Sequence, residues 1–184
     1  MRIISGSCRG RKLYCPTTSR IRPTTDRNKE MIFNWIHFSL NGKVILDLFA
    51  GTGNLGLEAL SRTAQYATFI DCSKIAVELV AKNATLLNFQ DRVTIIQDDV
   101  FKAIAAFARN QSKFDVIFAD PPYNHYLSSK ILSAIASHDI LNSGGAIILE
   151  HDRNDVPIDI QGFSLLKRKI AGETGISLYE NRTI

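Results

Sequence analysis

Between residues 44 and 150 the chain repeats one pattern, a short run of β-type apolar residues followed by a stretch with helical spacing. The runs are VILDLF (44–49), YATFID (66–71), VTIIQ (93–97), FDVIFAD (114–120) and AIILE (146–150). LGLEALSR, SKIAVELVAKNATLLN, VFKAIAAFARN and YLSSKILSAIASH lie between them, their apolar residues returning every three or four positions. Few folds satisfy this alternation. Strand–helix–strand units place their strands parallel in one sheet and cover both faces with helices, so the strands read as almost continuously apolar. The end of the chain breaks the pattern. FSLLKRKIAG and ISLYEN flank Glu173-Thr174-Gly175 and predict a closing hairpin, which adds an antiparallel strand to the parallel sheet.

Upstream of the alternation, RII and KLY read as two short strands around the turn from Gly6 to Gly10, and Pro16 and Pro23 mark a linker. Thr24 or Thr25 then caps a helix that begins near Asp26 and carries Met31, Ile32, Trp35 and Ile36 on one apolar face. The 184 residues therefore divide into an arm, 1–23, and an α/β domain, 24–184.

Ligands of such sheets bind beyond the carboxyl ends of the strands, so the residues that end each run are the candidates. After VILDLF comes Gly51-Thr52-Gly53-Asn54-Leu55-Gly56, a glycine turn between strand and helix of the kind that admits a nucleotide-like ligand. Asp47, four residues before Gly51, lies in an apolar run where an unpaired carboxylate would cost several kcal/mol. A pyrophosphate would repel it, whereas a ligand carrying an ammonium and a sulfonium would meet its need, and S-adenosylmethionine carries both. Asp71 closes the second run at the spacing suited to ribose hydroxyls. Asp98 and Asp99 close the third and offer two candidates for an adenine amino group. Any one of these acids is equally a helix cap; three successive strands ending in acids is what favours a ligand.

Asp120-Pro121-Pro122-Tyr123 ends the fourth run. By itself it is as readily a proline turn. At a strand end, after the acid and the glycine turn, it reads as a site for a planar amine. Such a nitrogen is a poor nucleophile, so the site must hold it in line with the methyl group and accept hydrogen bonds from its N–H groups. Asp120 and the Pro121 carbonyl would accept, the proline pair would stiffen the loop, and Tyr123 would stack on the extruded base.

Charge is placed unevenly. The first 30 residues hold eight Lys and Arg against Asp26 and Glu30, a surplus of six, which leaves −2 on the other 154. A basic arm on a slightly acidic body suits a polyanionic partner, with Arg2, Arg9, Arg11 and Lys12 meeting phosphates and Arg22 nearer the target. Lys167, Arg168 and Lys169 read as a solvated hairpin. Cys8, Cys15 and Cys72 have no CxxC spacing, and His37, His125, His138 and His151 no ligand spacing, so neither a disulfide framework nor a metal is expected. The amino terminus lacks a leader's apolar stretch and no run approaches a membrane span, so a cytoplasmic protein is expected, and with no dimer surface suggested a monomer.

RIISGSCRGRKL, IRPTTDRNKEMIFNW, LDLFAGTGNLGLEALSR, FDVIFADPPY and the ILEHD segment together resemble the RsmD family, the 16S ribosomal RNA guanine-N2 methyltransferases, over essentially the whole chain. RPTTDR is the specific part, since many methyltransferases share the glycine turn and DPPY. The resemblance implies a Rossmann-like class I methyltransferase fold with a seven-stranded, mostly parallel sheet whose last strand is antiparallel, preceded by a small hairpin arm. It implies S-adenosylmethionine as donor and a guanine of 16S ribosomal RNA, free or in the 30S subunit, as acceptor. On matching positions, Asp47, Phe49, Gly51, Thr52, Gly53, Cys72, Val100 and Thr25 would line the donor, Asp71 would take its ribose and Asp99 its adenine, and Asp120, Pro121, Pro122 and Tyr123 would hold the guanine amine. Arg22, Thr24, Thr25 and Arg27 would close the site from the arm side. A DNA adenine-N6 methyltransferase, which also uses DPPY, a protein glutamine methyltransferase and a non-catalytic RNA-binding adaptor are the alternatives.

Overall fold

The computed structural model describes residues 1–16, 25–36, 39–122, 127–155, 160 and 162–181. Its strands are β1 (Val44–Leu48), β2 (Tyr66–Asp71), β3 (Val93–Gln97), β4 (Phe114–Ala119), β5 (Leu141–Asp152), β6 (Phe163–Ala171) and β7 (Thr174–Asn181). Helices α1 (Asp26–Trp35), α2 (Asn54–Ser61), α3 (Lys74–Leu86), α4 (Val100–Arg109) and α5 (Leu127–His138) alternate with them as the spacing predicts. One seven-stranded sheet results, in the order β3-β2-β1-β4-β5-β7-β6. The pairs among β1 to β5 are parallel, and β7 runs antiparallel between β5 and β6.

Alternate residues of each strand feed two separate apolar layers. Ile45, Phe69, Val116, Phe118 and Ile148 face one side, where they meet α2, α3, α1 and the arm through Leu57, Val80, Ile32, Phe33, Ile3 and Leu13. Leu46, Leu48, Ile117, Ala119, Ile147 and Leu149 face the other and pack on α4 and α5 through Ile104, Ile131 and Ile135. Phe33 of α1 reaches Phe118 of β4, ring centroids 5.7 Å apart, so the helix after the arm rests on the strand that leads to Asp120. Trp35 is half-buried at the margin of this layer.

The cap of α1 falls where the sequence places it, and a serine begins α3 in the same way. Thr25 accepts from the Asn28 amide at the start of α1, and Ser73 from the Ala76 amide at the start of α3. Three features differ. β5 begins at Leu141 rather than Ala146, because the register jumps from Phe114↔Leu141 to Val116↔Ala146 and the strand absorbs the left-handed Gly144. The closing turn is Gly172-Glu173, one residue earlier than the reading of Glu173 to Gly175, with Gly172 left-handed and Ala171 paired with Thr174. The arm's two strands reduce to one antiparallel bridge, Arg2↔Lys12, flanked by hydrogen bonds from the Ile3 amide to the Arg11 carbonyl and from the Gly10 amide to the Ile3 carbonyl.

Candidate active site

The loop after β1 is shaped by its backbone. Phe49, Gly51 and Gly53 all have positive φ, at 62°, 57° and 76°. For the two glycines that conformation is easy. For Phe49 it is strained, at roughly 1–3 kcal/mol, and such strain persists only where the surroundings over-determine it. Here they do: the Ala50 amide donates to the Ile70 carbonyl at 3.0 Å, the Gly53 amide to the Ala50 carbonyl at 2.7 Å, and the Gly51 amide to Asp71 Oδ2 at 2.9 Å. Asp71 Oδ1 in turn accepts from the Ser73 amide at 2.8 Å. The Asp71 carboxylate thus ties the end of β2 to the glycine loop. A Cβ on Gly51 would enter open space, meeting only the Phe49 carbonyl at 3.9 Å, so the loop presents a bare ledge to a ligand.

Asp47 is 4% exposed, and its Oδ2 accepts from the Gly56 amide in the first turn of α2 at 2.9 Å. The donor that this buried acid requires is therefore supplied in part by the helix terminus. Gly56 is needed for the approach: a Cβ there would lie 2.4 Å from Phe69 Cε1 and 3.2 Å from Asp47 Oδ2. Burial raises the Asp47 pKa to about 7, opposed by the Gly56 hydrogen bond and reinforced by Asp71. A cationic ligand beside it would relieve that cost, so the residues present fit a sulfonium donor.

At the third strand end the two acids divide the work. Asp99 is the N-cap of α4, its Oδ1 accepting from the Phe101 and Lys102 amides at 3.0 and 3.1 Å. Asp98 Oδ1 accepts the Asp99 amide at 2.8 Å. Asp99 is exposed and Asp98 half-buried. Val100 is 4% exposed and packs into the α4–α5 layer, which leaves its main chain rather than its side chain for an adenine. Cys72 is an exposed free thiol beside Asp71.

Asp120 follows β4 directly beside this loop, because β1 and β4 pair with Leu48 opposite Ala119. Burial first, then the negative charges of Glu150 and Asp47, hold its carboxyl well above the usual carboxylate range. Pro121 is buried and Pro122 exposed. Tyr123, Arg22, Thr24, His37 and His125 lie outside the described residues.

Two expected donor contacts turn elsewhere. The Thr52 hydroxyl, on a residue 2% exposed, points to Met1 Sδ at 3.5 Å, so it faces the arm. Thr25 spends its hydroxyl on the α1 cap. Among the basic residues, Arg2 pairs with Asp26 at 2.8 Å, while Arg9, Arg11, Lys12 and Arg27 are exposed. His151 is a packing residue, its ring held between the Asp152 carbonyl at 2.7 Å and Ser177 Oγ at 2.8 Å.

Sequence reasoning missed the buried network that docks the arm. Lys29, fully buried, donates to the Arg2 carbonyl, to Asn54 Oδ1 at 2.9 Å and to Glu58 Oε2 at 3.0 Å. Glu58 also accepts from the Ile4 amide at 2.8 Å, the Ser5 amide at 3.0 Å and Arg62 Nε at 2.9 Å. Asn83 brackets Tyr14, accepting from its amide at 2.7 Å and donating to its carbonyl at 3.1 Å, and donates to the Thr52 carbonyl at 2.9 Å. The available signal was an acid amid leucines and alanines in LGLEALSR, and a lysine one turn before Phe33 on the buried side of α1. Asn54 and Thr52 join this network to the glycine loop, so arm and loop are one rigid assembly.

Comparison with known proteins bears on this site. The family model described as conserved hypothetical protein 95 matches residues 1–180. A Bacillus subtilis (strain 168) protein, YlbH, provisionally named an rRNA methyltransferase, is 37% identical over 99% of this chain and 100% of its own length. The ribosomal RNA small subunit methyltransferase D of Haemophilus influenzae is 34% identical over 98% of this chain and 94% of its own. The solved structure of Escherichia coli yhhF, provisionally titled a methyltransferase, superposes with a TM-score of 0.88 at 32% identity, covering 98% of this chain and 97% of that one.

Proposed function

We propose that this chain, which belongs to the conserved hypothetical protein 95 family together with the ribosomal RNA small subunit methyltransferase D proteins, transfers the methyl group of S-adenosylmethionine to the exocyclic N2 of a guanine in 16S ribosomal RNA. One observation carries the reading. The strained glycine loop and Asp120-Pro121 emerge from neighbouring strands paired Leu48↔Ala119, so a donor on the loop and an amine on Asp120 lie side by side.

S-adenosylmethionine supplies an electrophilic methyl group on a sulfonium. The chain's residues do the rest by position and charge. Asp47 sets a negative charge beneath the glycine ledge, Asp71 offers its oxygens to ribose hydroxyls, and Asp98 or Asp99 takes the adenine amino group. Asp120 Oδ and the Pro121 carbonyl accept the N–H groups of the guanine amine and orient its lone pair. The surplus proton leaves to Asp120 or to water. Arg9, Arg11 and Lys12 on the arm, already docked by Glu58, and Arg27 on α1 would contact phosphates.

Tritiated donor offered with undermethylated 30S subunits, naked ribosomal RNA or DNA, followed by nucleoside analysis, tests the reading. N2-methylguanosine from the ribosomal substrates is expected. Label on adenine, or on DNA alone, would overturn it.

A further inference from the structure

We propose that Glu150 makes this site read guanine: its carboxylate accepts the N1–H of the base whose 2-amino group Asp120 holds. The inference rests on the reaction proposed above and adds the origin of its base choice.

Strand register places the two acids together. β4 and β5 run parallel with Ala119 opposite Leu149, so Asp120 and Glu150 are the next neighbours at the carboxyl end of the sheet. Alternation puts them on one side. Val116 and Phe118, like Ala146 and Ile148, face the arm layer, while Ile117, Ala119, Ile147 and Leu149 face the opposite layer. Asp120 and Glu150 continue the first series, as does Asp47 of β1 after Ile45. Across from Glu150 on the other side, β7 presents Ile176, an apolar wall with no charge of its own. Glu150 is half-buried, at the rim rather than in the core. The proximity also registers in charge, since Glu150 is the leading charged neighbour raising the Asp120 carboxyl.

Two carboxylates side by side repel, and a ligand edge that offers both a donor relieves them. Guanine has such an edge: N1–H and the 2-amino group are adjacent donors in one plane. Adenine sets a bare N1 acceptor beside its amine, which would face Glu150 lone pair to lone pair. A buried hydrogen-bonding group left facing the wrong partner discriminates more strongly than a shape mismatch, so one carboxylate suffices to choose between the bases. Asp120 alone cannot make this choice, because an exocyclic amine is common to both.

The base 2,6-diaminopurine isolates the contact, for it keeps the 2-amino group but carries an unprotonated N1. A 16S ribosomal RNA fragment ligated from synthetic pieces would carry either guanine or 2,6-diaminopurine at the nucleotide identified by tritium labelling. Wild-type protein is expected to favour guanine by about a hundredfold or more in kcat/KM, and Glu150→Gln, whose amide can donate to N1, to narrow the preference to about tenfold or less. Adenosylhomocysteine affinity measured on the same preparations reports the intact donor site, so a collapsed variant is recognised, and Glu150→Asp supplies a second probe, which should retain the guanine preference. An unchanged ratio in Glu150→Gln overturns the assignment, as does a wild type that accepts both bases equally. If the wild type leaves no label on guanine N2 in the unsubstituted fragment, the proposed reaction itself fails, a result visible before the analogue is tried, and the role of Glu150 falls with it.

Discussion

The two sides of the sheet are built for different purposes. Beneath α4 and α5 the layer is aliphatic and aromatic, with Ile104, Ile117, Ile131, Ile135 and Leu149 each fully buried. On the arm side the same strands carry Phe69, Phe118 and Ile148, and beside them the buried charged residues Lys29, Asp47 and Glu58. Apolar burial of about 1.5–3 kcal/mol per large side chain is enough to hold the first layer together. The second gives up part of that gain to hold ionised groups where water cannot reach, and buried ions are weak contributors to net stability. Buried charge collects on the side where the arm is gripped, and apolar packing alone holds the other.

Breaking each side should therefore give different phenotypes. Glu58→Ala removes the acceptor of four donors and strands the Lys29 ammonium, so a loss of about 3–5 kcal/mol in urea unfolding is expected. Ile117→Ala, in the opposite layer, should cost a comparable 2–5 kcal/mol or so but leave turnover per folded molecule near wild type. If Glu58→Ala proves neutral in stability, the network does not hold the arm.

Asp120→Ala should do the reverse, lowering single-turnover methyl transfer by about 10²-fold or more while adenosylhomocysteine still binds in calorimetry. Unchanged turnover would remove Asp120 from the reaction. A smaller effect is expected from pH. With the Asp47 pKa at about 7, affinity for the cationic donor should rise with pH below 7, by up to about tenfold per unit, and level off above it. The stability dependence has the opposite sign. A carboxyl whose native pKa lies above its unfolded value of 3.8 is favoured while protonated, so its contribution is lost as pH rises from about 4 to about 7. Asp47→Asn should then unfold at higher urea than wild type at pH 8, with the difference shrinking toward pH 5, and should bind donor without the pH slope. Smallest of all, reversing Arg9, Arg11 or Lys12 singly should leave the unfolding midpoint alone and reduce the slope of log K for RNA against log salt by about one. A flat salt response in the wild type would remove RNA as the partner of the arm.

Much of the framework is legible in the sequence because it is local. VIFA is buried on both faces and leads directly into Asp120, and Ser73 and Asp99 cap the helices they precede. The residues that were not legible pair across distance. Lys29 meets Glu58 only once α1 is folded onto α2, and Asn83 meets Tyr14 only once the arm lies on α3, and no periodicity within any of these segments records that. Thr52 lies in a motif that suggests a ligand, yet its hydroxyl direction is set by Met1, at the far end of the chain. Glu150 is visible as the close of a strand, but its bearing on Asp120 follows from the register Ala119↔Leu149, which only the assembled sheet defines.

The sheet also ends in a particular way. β6 is its outermost strand on the β7 side, and its solvent-facing stretch runs Lys167, Arg168, Lys169. Were a second copy to add its own β6 there, the two cationic rows would confront each other, and the attempt would be driven apart before backbone pairing could begin. The row thus guards the open β6 border of the sheet against strand addition.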